Sequence, residues 1–251
     1  MVSTTLLFTT TFLVLCTLST AHPGLMLTLV NKCPFTVWPA IHPDPGHSAL
    51  KGIGSVLNTK TSVSVPAPTD FWAGQIWART GCRNAHKQFS CTTGNCGGRL
   101  DCSRAATSTP VTLTRLNINR NGPNNISYYG VSLLHGFNVP VTVIPLIKGK
   151  GKCPTVGCSA NLLQTCPEKL QLRSPKGHGP VVGCKSGCAA FGSDKLCCTN
   201  HHSTSQTCKP SSYLSSSRKH ALRRLRIGMI SHRPLMHDCL SPRKLQIFFC
   251  H

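Results

Sequence analysis

Sixteen cysteines in 251 residues constrain this chain more than any other feature. Cysteine this dense in an oxidising compartment means a framework of disulfides. Zinc is the rival use, and Cys184-x3-Cys188 has the look of a ligand pair. Zinc sites, however, take separated cysteine pairs in a reducing setting, and adjacent Cys197 and Cys198 do not easily share one tetrahedron. The twelve histidines are scattered, His201-His202 included. No metal site and no cofactor are expected.

The first 21 residues read as a signal peptide. Leu6 to Leu18 is an apolar run broken mainly by threonines, and Ser19-Thr20-Ala21 supplies small residues for cleavage. The run is too short to span a bilayer, although no basic residue precedes it. No later stretch is long and apolar enough for a membrane helix. The protein is therefore expected outside the cell or in the vacuole. Cleavage removes Cys16 and leaves about 230 residues with an odd number of cysteines, so at least one thiol lacks a partner.

Lys and Arg number 27 against six Asp and Glu, a net charge of +21. Such a field attracts anionic partners. Outside Arg218 to Arg226 the basic residues are dispersed, as suits a general property of a wall- or vacuole-directed protein. No nucleic-acid partner is expected, and the chain reads as a monomer.

Glycine and proline punctuate a series of alternating stretches that read as strands: Leu27–Val30, Phe35–Trp38, Ser62–Val65, Gln75–Arg79, Tyr128–Leu133 and Val139–Ile144. No helical period persists through the first 150 residues, so the fold class is mainly β. From Cys153 to Cys208 the texture changes to closely spaced cysteines, glycines and polar turns, with one short helix expected around Ala160 to Cys166.

Several ordered motifs carry a resemblance. Phe89-Ser90-Cys91-Thr92-Thr93-Gly94-Asn95-Cys96-Gly97-Gly98, closing at Cys102, resembles the signature of the plant thaumatin-like, pathogenesis-related family, with Asn95 where that family usually has Asp. Asn31 to Ala40, Trp77 to Cys82, Gly136 to Val141, Cys184 to Cys188, Cys197-Cys198-Thr199 and Cys208 to Tyr213 match as well, as does Leu245 to Cys250. The resemblance implies a flattened β-sandwich core with disulfide-rich loop lobes over residues 22–251. The core would take about 22–80, 113–150 and 240–251, the small lobe 81–112, and the loop-rich lobe 151–213. It also implies the bridges Cys33–Cys250, Cys82–Cys91, Cys96–Cys102, Cys153–Cys239, Cys166–Cys184, Cys188–Cys197 and Cys198–Cys208. Cys158 is left unpaired.

The family would place the partner of Cys158 about thirteen residues after Cys208, where Ala221 stands. Residues 214–238 match nothing in the family, and they hold the one dense basic run. One choice of codons for Ser216 to Ile230, read in another frame, gives Leu-Phe-Lys-Lys-Ala-Cys-Pro-Glu-Ala-Phe-Thr-Tyr-Trp-Tyr-Asp, which resembles the family's segment and restores a cysteine. A frameshift entering near Tyr213 and closing before Cys239 is the expectation; independent genomic and transcript sequencing tests it.

Defence-type members of that family carry a cleft built from one Arg, one Glu and three Asp. Carboxylates there accept hydrogen bonds from sugar hydroxyls, and a suitably spaced pair performs glycoside hydrolysis. By position the Arg falls on Arg79, the Glu on Arg115, and two of the Asp on Gly130 and His135; the third lies in the unmatched stretch. Arg79 serves either as a ligand contact or as a structural ion-pair partner, and Phe137 offers a face for stacking on a sugar or, the favoured reading, core packing. With the acids replaced, a general acid–base pair is missing and no enzymatic activity is expected. The expected role is antifungal defence on β-1,3-glucan or on anionic membrane and wall surfaces. The alternatives are a family member that keeps the fold without activity and, less favoured, an endo-β-1,3-glucanase.

Overall fold

Two five-stranded sheets share one apolar core, into which strands such as Leu27-Thr28-Leu29 and Leu245-Gln246-Ile247 send every second side chain. The computed structural model describes residues 24–85, 88–103, 107–119, 125–147, 153–174, 178–204, 206–208 and 236–251. The expected leader and most of the unmatched stretch lie outside these residues.

The first sheet contains β1 (Met26–Asn31), β3 (Ser62–Pro66), β9 (Val141–Ile147), β10 (Val156–Cys158) and β14 (Pro242–Phe249), in the order β10-β9-β14-β1-β3. The chain's last strand thus sits in the middle of the sheet. It runs parallel to β1 and antiparallel to β9, pairing Leu27 with Leu245 and Leu29 with Ile247. These four side chains are fully buried. Full burial of a Leu or Ile contributes about 1.5–3 kcal/mol each, which fixes this register.

The second sheet contains β2 (Trp38–Pro43), β4 (Trp72–Arg79), β7 (Leu113–Ile118), β8 (Ile126–Ser132) and β13 (His237–Leu240), all antiparallel, in the order β13-β8-β7-β4-β2. Ile41, Ile76, Leu116, Tyr129 and Val131 face the shared core. Trp72 and Trp77 stand an odd number of residues apart and so point to opposite faces. Trp72 packs into the shared core. Trp77 packs on the other side with Ala40, Val111 and Leu113.

That outer packing is the floor of a small lobe. The hairpin β5 (Arg83–Ala85) and β6 (Gln88–Ser90) and the loop after it are stapled by Cys82–Cys91 and Cys96–Cys102. The Trp77 indole N–H donates to Gly94 O at 2.8 Å, so the buried ring has its partner.

The loop-rich lobe holds the hairpin β11 (Gln171–Arg173) and β12 (Val181–Cys184), then α1 (Gly187–Phe191) and α2 (Asp194–Cys197). Its own core is small, built on Leu133, Phe137, Cys158 and Leu162. Cys166–Cys184, Cys188–Cys197 and Cys198–Cys208 staple it. Cys33–Cys250 ties the two ends of the first sheet's central strands, and Cys153–Cys239 ties the lobe's entry to β13. These seven bridges join the cysteines that the family order implies, and Cys158 is free and buried.

Several boundaries differ from the sequence reading: β4 begins at Trp72 and not at Gln75, β9 runs Val141–Ile147 in place of Val139–Ile144, and two further differences have a local cause. The expected strand Phe35–Trp38 begins only at Trp38, with Val37 making a single bridge to Leu57. Asn31 is the reason: its side chain accepts from Cys33 N and donates to Phe35 O and Leu57 O, each at 2.9 Å, holding the chain in a turn. The expected helix at Ala160–Cys166 is a single 3-10 turn, Leu162–Thr165, capped by the Asn161 side chain.

Candidate functional site

The outer face of the second sheet is the surface on which the family's cleft residues would stand. Strand register defines one row across it: His42, Gln75, Arg115 and Gly130 are successive cross-strand neighbours on β2, β4, β7 and β8. A second row runs Ala73, Asn117, Tyr128 and Asp238. Both rows point away from the shared core because they are odd in step with Ile76 and Leu116.

Arg115 sits near the centre of this face and forms an ion pair with Asp44, which follows β2. Both side chains are about a quarter exposed, at 26% and 21%. Solvent screening limits such a pair to about 0–1 kcal/mol of stability. Its chemical consequence is larger. The carboxylate nearest the row is already held by a guanidinium and is not free to act as a base.

Asp238 is the other carboxylate on this face. It belongs to β13 at one edge of the sheet, whereas Asp44 follows β2 at the opposite edge. Four strand spacings of ~4.8 Å put their backbones on the order of 19 Å apart. A glycosidase pair needs its carboxyls roughly 5–10 Å apart. The two acids therefore do not form a hydrolytic pair.

The remaining expected site residues are dispersed. Gly130 is buried, so its position is not open to a ligand. His135 lies past the end of β8 in the tight turn before Gly136, where its carbonyl accepts from Val111 N at 3.0 Å. Phe137 is 3% exposed and packs with Leu133, Cys158 and Leu162. Its backbone exchanges two hydrogen bonds with Cys184, at 2.8 and 2.7 Å, which docks the sandwich to β12. Phe137 is a core residue and not a stacking platform.

Arg79 requires the clearest correction. It is on the same strand face as Gln75, four residues further on, under the small lobe and with no exposed surface. Its guanidinium donates to the carbonyls of Trp38 (3.1 Å), Arg99 (3.0 Å), Pro39 (3.2 Å) and Gly54 (3.1 Å), and lies 5.0 Å from the Phe89 ring centroid. Burial lowers its pKa to about 10, partly offset by the charge of Asp101. Arg79 is a staple between two sheet strands and two loops. It has no donor to offer a ligand.

Sequence reasoning thus missed Gln75, His42 and Asp44 as the polar groups of the open row. His42 Nδ1–H donates to Cys102 O at 3.0 Å, which ties the row to the small lobe. Register across strands was the signal that locates Gln75. Asp44, in the turn Pro43-Asp44-Pro45-Gly46, carries no sequence mark of its function.

Among the described residues no group of three or more His, Cys, Asp or Glu is arranged to hold a metal ion, and no helix is long and apolar enough to cross a membrane.

Fold and site together define a disulfide-stapled β-sandwich whose open sheet face carries a neutralised ion pair. The thaumatin family profile matches residues 31–251. The chain belongs to the thaumatin family, as a plant thaumatin-like protein. It is 52% identical over 230 residues to an osmotin-like protein of Solanum lycopersicum, covering 92% of this chain and 90% of that one. It is 40% identical over 189 residues to pathogenesis-related thaumatin-like protein 3.5 of Cryptomeria japonica, covering 75% of each. A solved thaumatin-like xylanase inhibitor aligns with a TM-score of 0.47 and 23% identity, over 90% of this chain and 99% of that one. Its relatives make this a plant defence protein by family.

Proposed function

We propose that the protein is a secreted, non-enzymatic antifungal protein that meets anionic membrane and wall surfaces through its net positive charge. The observation that carries this reading is the net charge of +21, together with an open sheet face whose nearest carboxylate, Asp44, is already occupied by Arg115. The separation of Asp44 and Asp238 supports the absence of hydrolysis, and the net charge of +21 supports attraction to anions at long range.

The test is sedimentation with two surfaces in parallel. One is vesicles of phosphatidylcholine containing phosphatidylserine, and the other is insoluble β-1,3-glucan. The expected result is binding to the anionic vesicles that collapses between about 0.05 M and about 0.5 M salt, as the screening length falls. Salt-insensitive binding to glucan alone would overturn the proposal. Reducing-sugar release from laminarin is expected to stay at the blank.

A second reading is favoured by one specific observation, the unpartnered Cys158. In it the chain keeps the fold and has lost activity. Absence of binding to both surfaces by correctly folded protein would select it.

A further inference from the structure

A cavity of about 600 Å3 opens on the side of the molecule where the loop-rich lobe meets the sandwich and the small lobe. None of the residues described so far as cleft positions lines it. Its walls include Phe35 from the turn before β2, Trp38 from the start of β2, Leu163 from the 3-10 turn, and Val181 and Val182 from β12. The volume lies within the ~300–1,000 Å3 usual for small-molecule sites.

Three observations describe what it would hold. First, among the described residues no charged side chain lines it, in a chain with 27 Lys and Arg. Second, several of its polar groups are already engaged. Asn138 donates its amide to Ala78 O and Thr93 Oγ1 and accepts from Thr112 N and Val139 N. Thr92 Oγ1 donates to Gly81 O, and Thr80 Oγ1 is paired with Thr93 Oγ1 at 2.7 Å. A hydroxyl that donates keeps lone pairs to accept. Trp38 Nε1–H and Ser174 Oγ have no partner among the described residues, so the lining offers a ligand a few donors as well as acceptors. Third, Phe35 is 46% exposed at the mouth, an aromatic edge left bare beside an apolar hollow.

We propose that this cavity binds an uncharged, mainly apolar small molecule with a single polar end, such as a hydroxyl, that the few free polar groups of the wall can meet. An anion is disfavoured because nothing in the lining neutralises it. A glucan is disfavoured because a sugar brings many hydroxyls, each needing a partner that these walls do not supply. The site is separate from the open sheet face, so its occupancy and the binding of anionic surfaces are independent properties.

N-phenyl-1-naphthylamine tests this directly, being uncharged, apolar and fitted with one N–H donor. The expected result is a saturable, one-to-one rise in emission with purified, disulfide-bonded protein. Val182→Asp places a charge in the wall and should weaken binding roughly ten-fold or more. Phe35→Ala removes an exposed ring, spares the core and should weaken it several-fold. Near-ultraviolet circular dichroism checks that each variant is folded; if Val182→Asp is not, Phe35→Ala decides. Absence of saturable binding overturns the proposal, as does parental affinity in the folded variants. Displacement of the probe by laminarihexaose also overturns it, by giving the cavity to a neutral sugar.

Discussion

Arg79 donates to four main-chain carbonyls, two on the neighbouring strand β2 and one on each of two loops, and all of those acceptors lose a partner if it is truncated. Each buried acceptor left without a donor costs about 1–3 kcal/mol. Arg79→Met is therefore expected to lower unfolding free energy by about 3–5 kcal/mol in urea titration. Arg79→Lys should recover little, because one ammonium cannot reproduce the planar fork. In a folded fraction of either variant, vesicle binding should remain near parental, since Arg79 is not a surface charge. Tyr129 makes a related argument about pH. Its hydroxyl is buried and donates to Pro154 O at 2.5 Å. Burial first, and the Asp238 charge second, raise its pKa well above the ordinary value of 10. A folded pKa above the unfolded one contributes stability that is complete below about pH 10 and lost as pH rises beyond it. Phenolate absorbance should show Tyr129 ionising only as the protein unfolds. Tyr129→Phe should flatten that alkaline loss while costing about 1 kcal/mol at neutral pH.

At the scale of elements, the turn that joins β8 to the loop-rich lobe is tightly specified. Gly136 has φ of +91°, and a Cβ built there would lie 2.4 Å from Cys184 O and 2.8 Å from Pro110 Cβ. Gly136→Ala should cost about 2 kcal/mol or more and loosen the Phe137–Cys184 bridge, read as faster amide exchange at Phe137 and Cys184. Strands were legible in the sequence wherever one face was buried, as in Leu27-Thr28-Leu29 and Leu245-Gln246-Ile247, because alternation is a local property. The start of β2 was not, since the Asn31 side chain bends the chain through contacts with Leu57, far along the sequence. Helices α1 and α2 were not legible either. At five and four residues they are too short to show a period, and their bridges hold them. The open row was the least legible of all. Gln75 and Arg79 share one strand and one face, and only the small lobe decides that Arg79 is covered while Gln75 is not. Motif spacing along one strand cannot report what packs on top of it.

On the whole molecule, two properties remain separable by experiment. The disulfide framework should leave one thiol per chain once residues 1–21 are gone, and that thiol, Cys158, should react with an aromatic disulfide reagent only after denaturation. Burial raises its pKa, so the folded protein disfavours the thiolate that the reagent needs. Several reactive thiols without denaturant would mean that the loop-rich lobe is not formed. Charge is the second property. Residues 1–21 carry no Lys, Arg, Asp or Glu, so a chain without them would keep the full +21. Arg115→Glu lowers that total by two and replaces an ion pair with two like charges beside each other on the open face. Because Arg115 and Asp44 are partly exposed, the cost in stability should stay below about 1 kcal/mol. If attraction to anionic vesicles comes from the field of the whole molecule, the variant should bind them less than about two-fold more weakly, with the same salt dependence. A loss of about ten-fold or more would instead localise the contact to the sheet face, since only there does a two-unit change reverse the local sign.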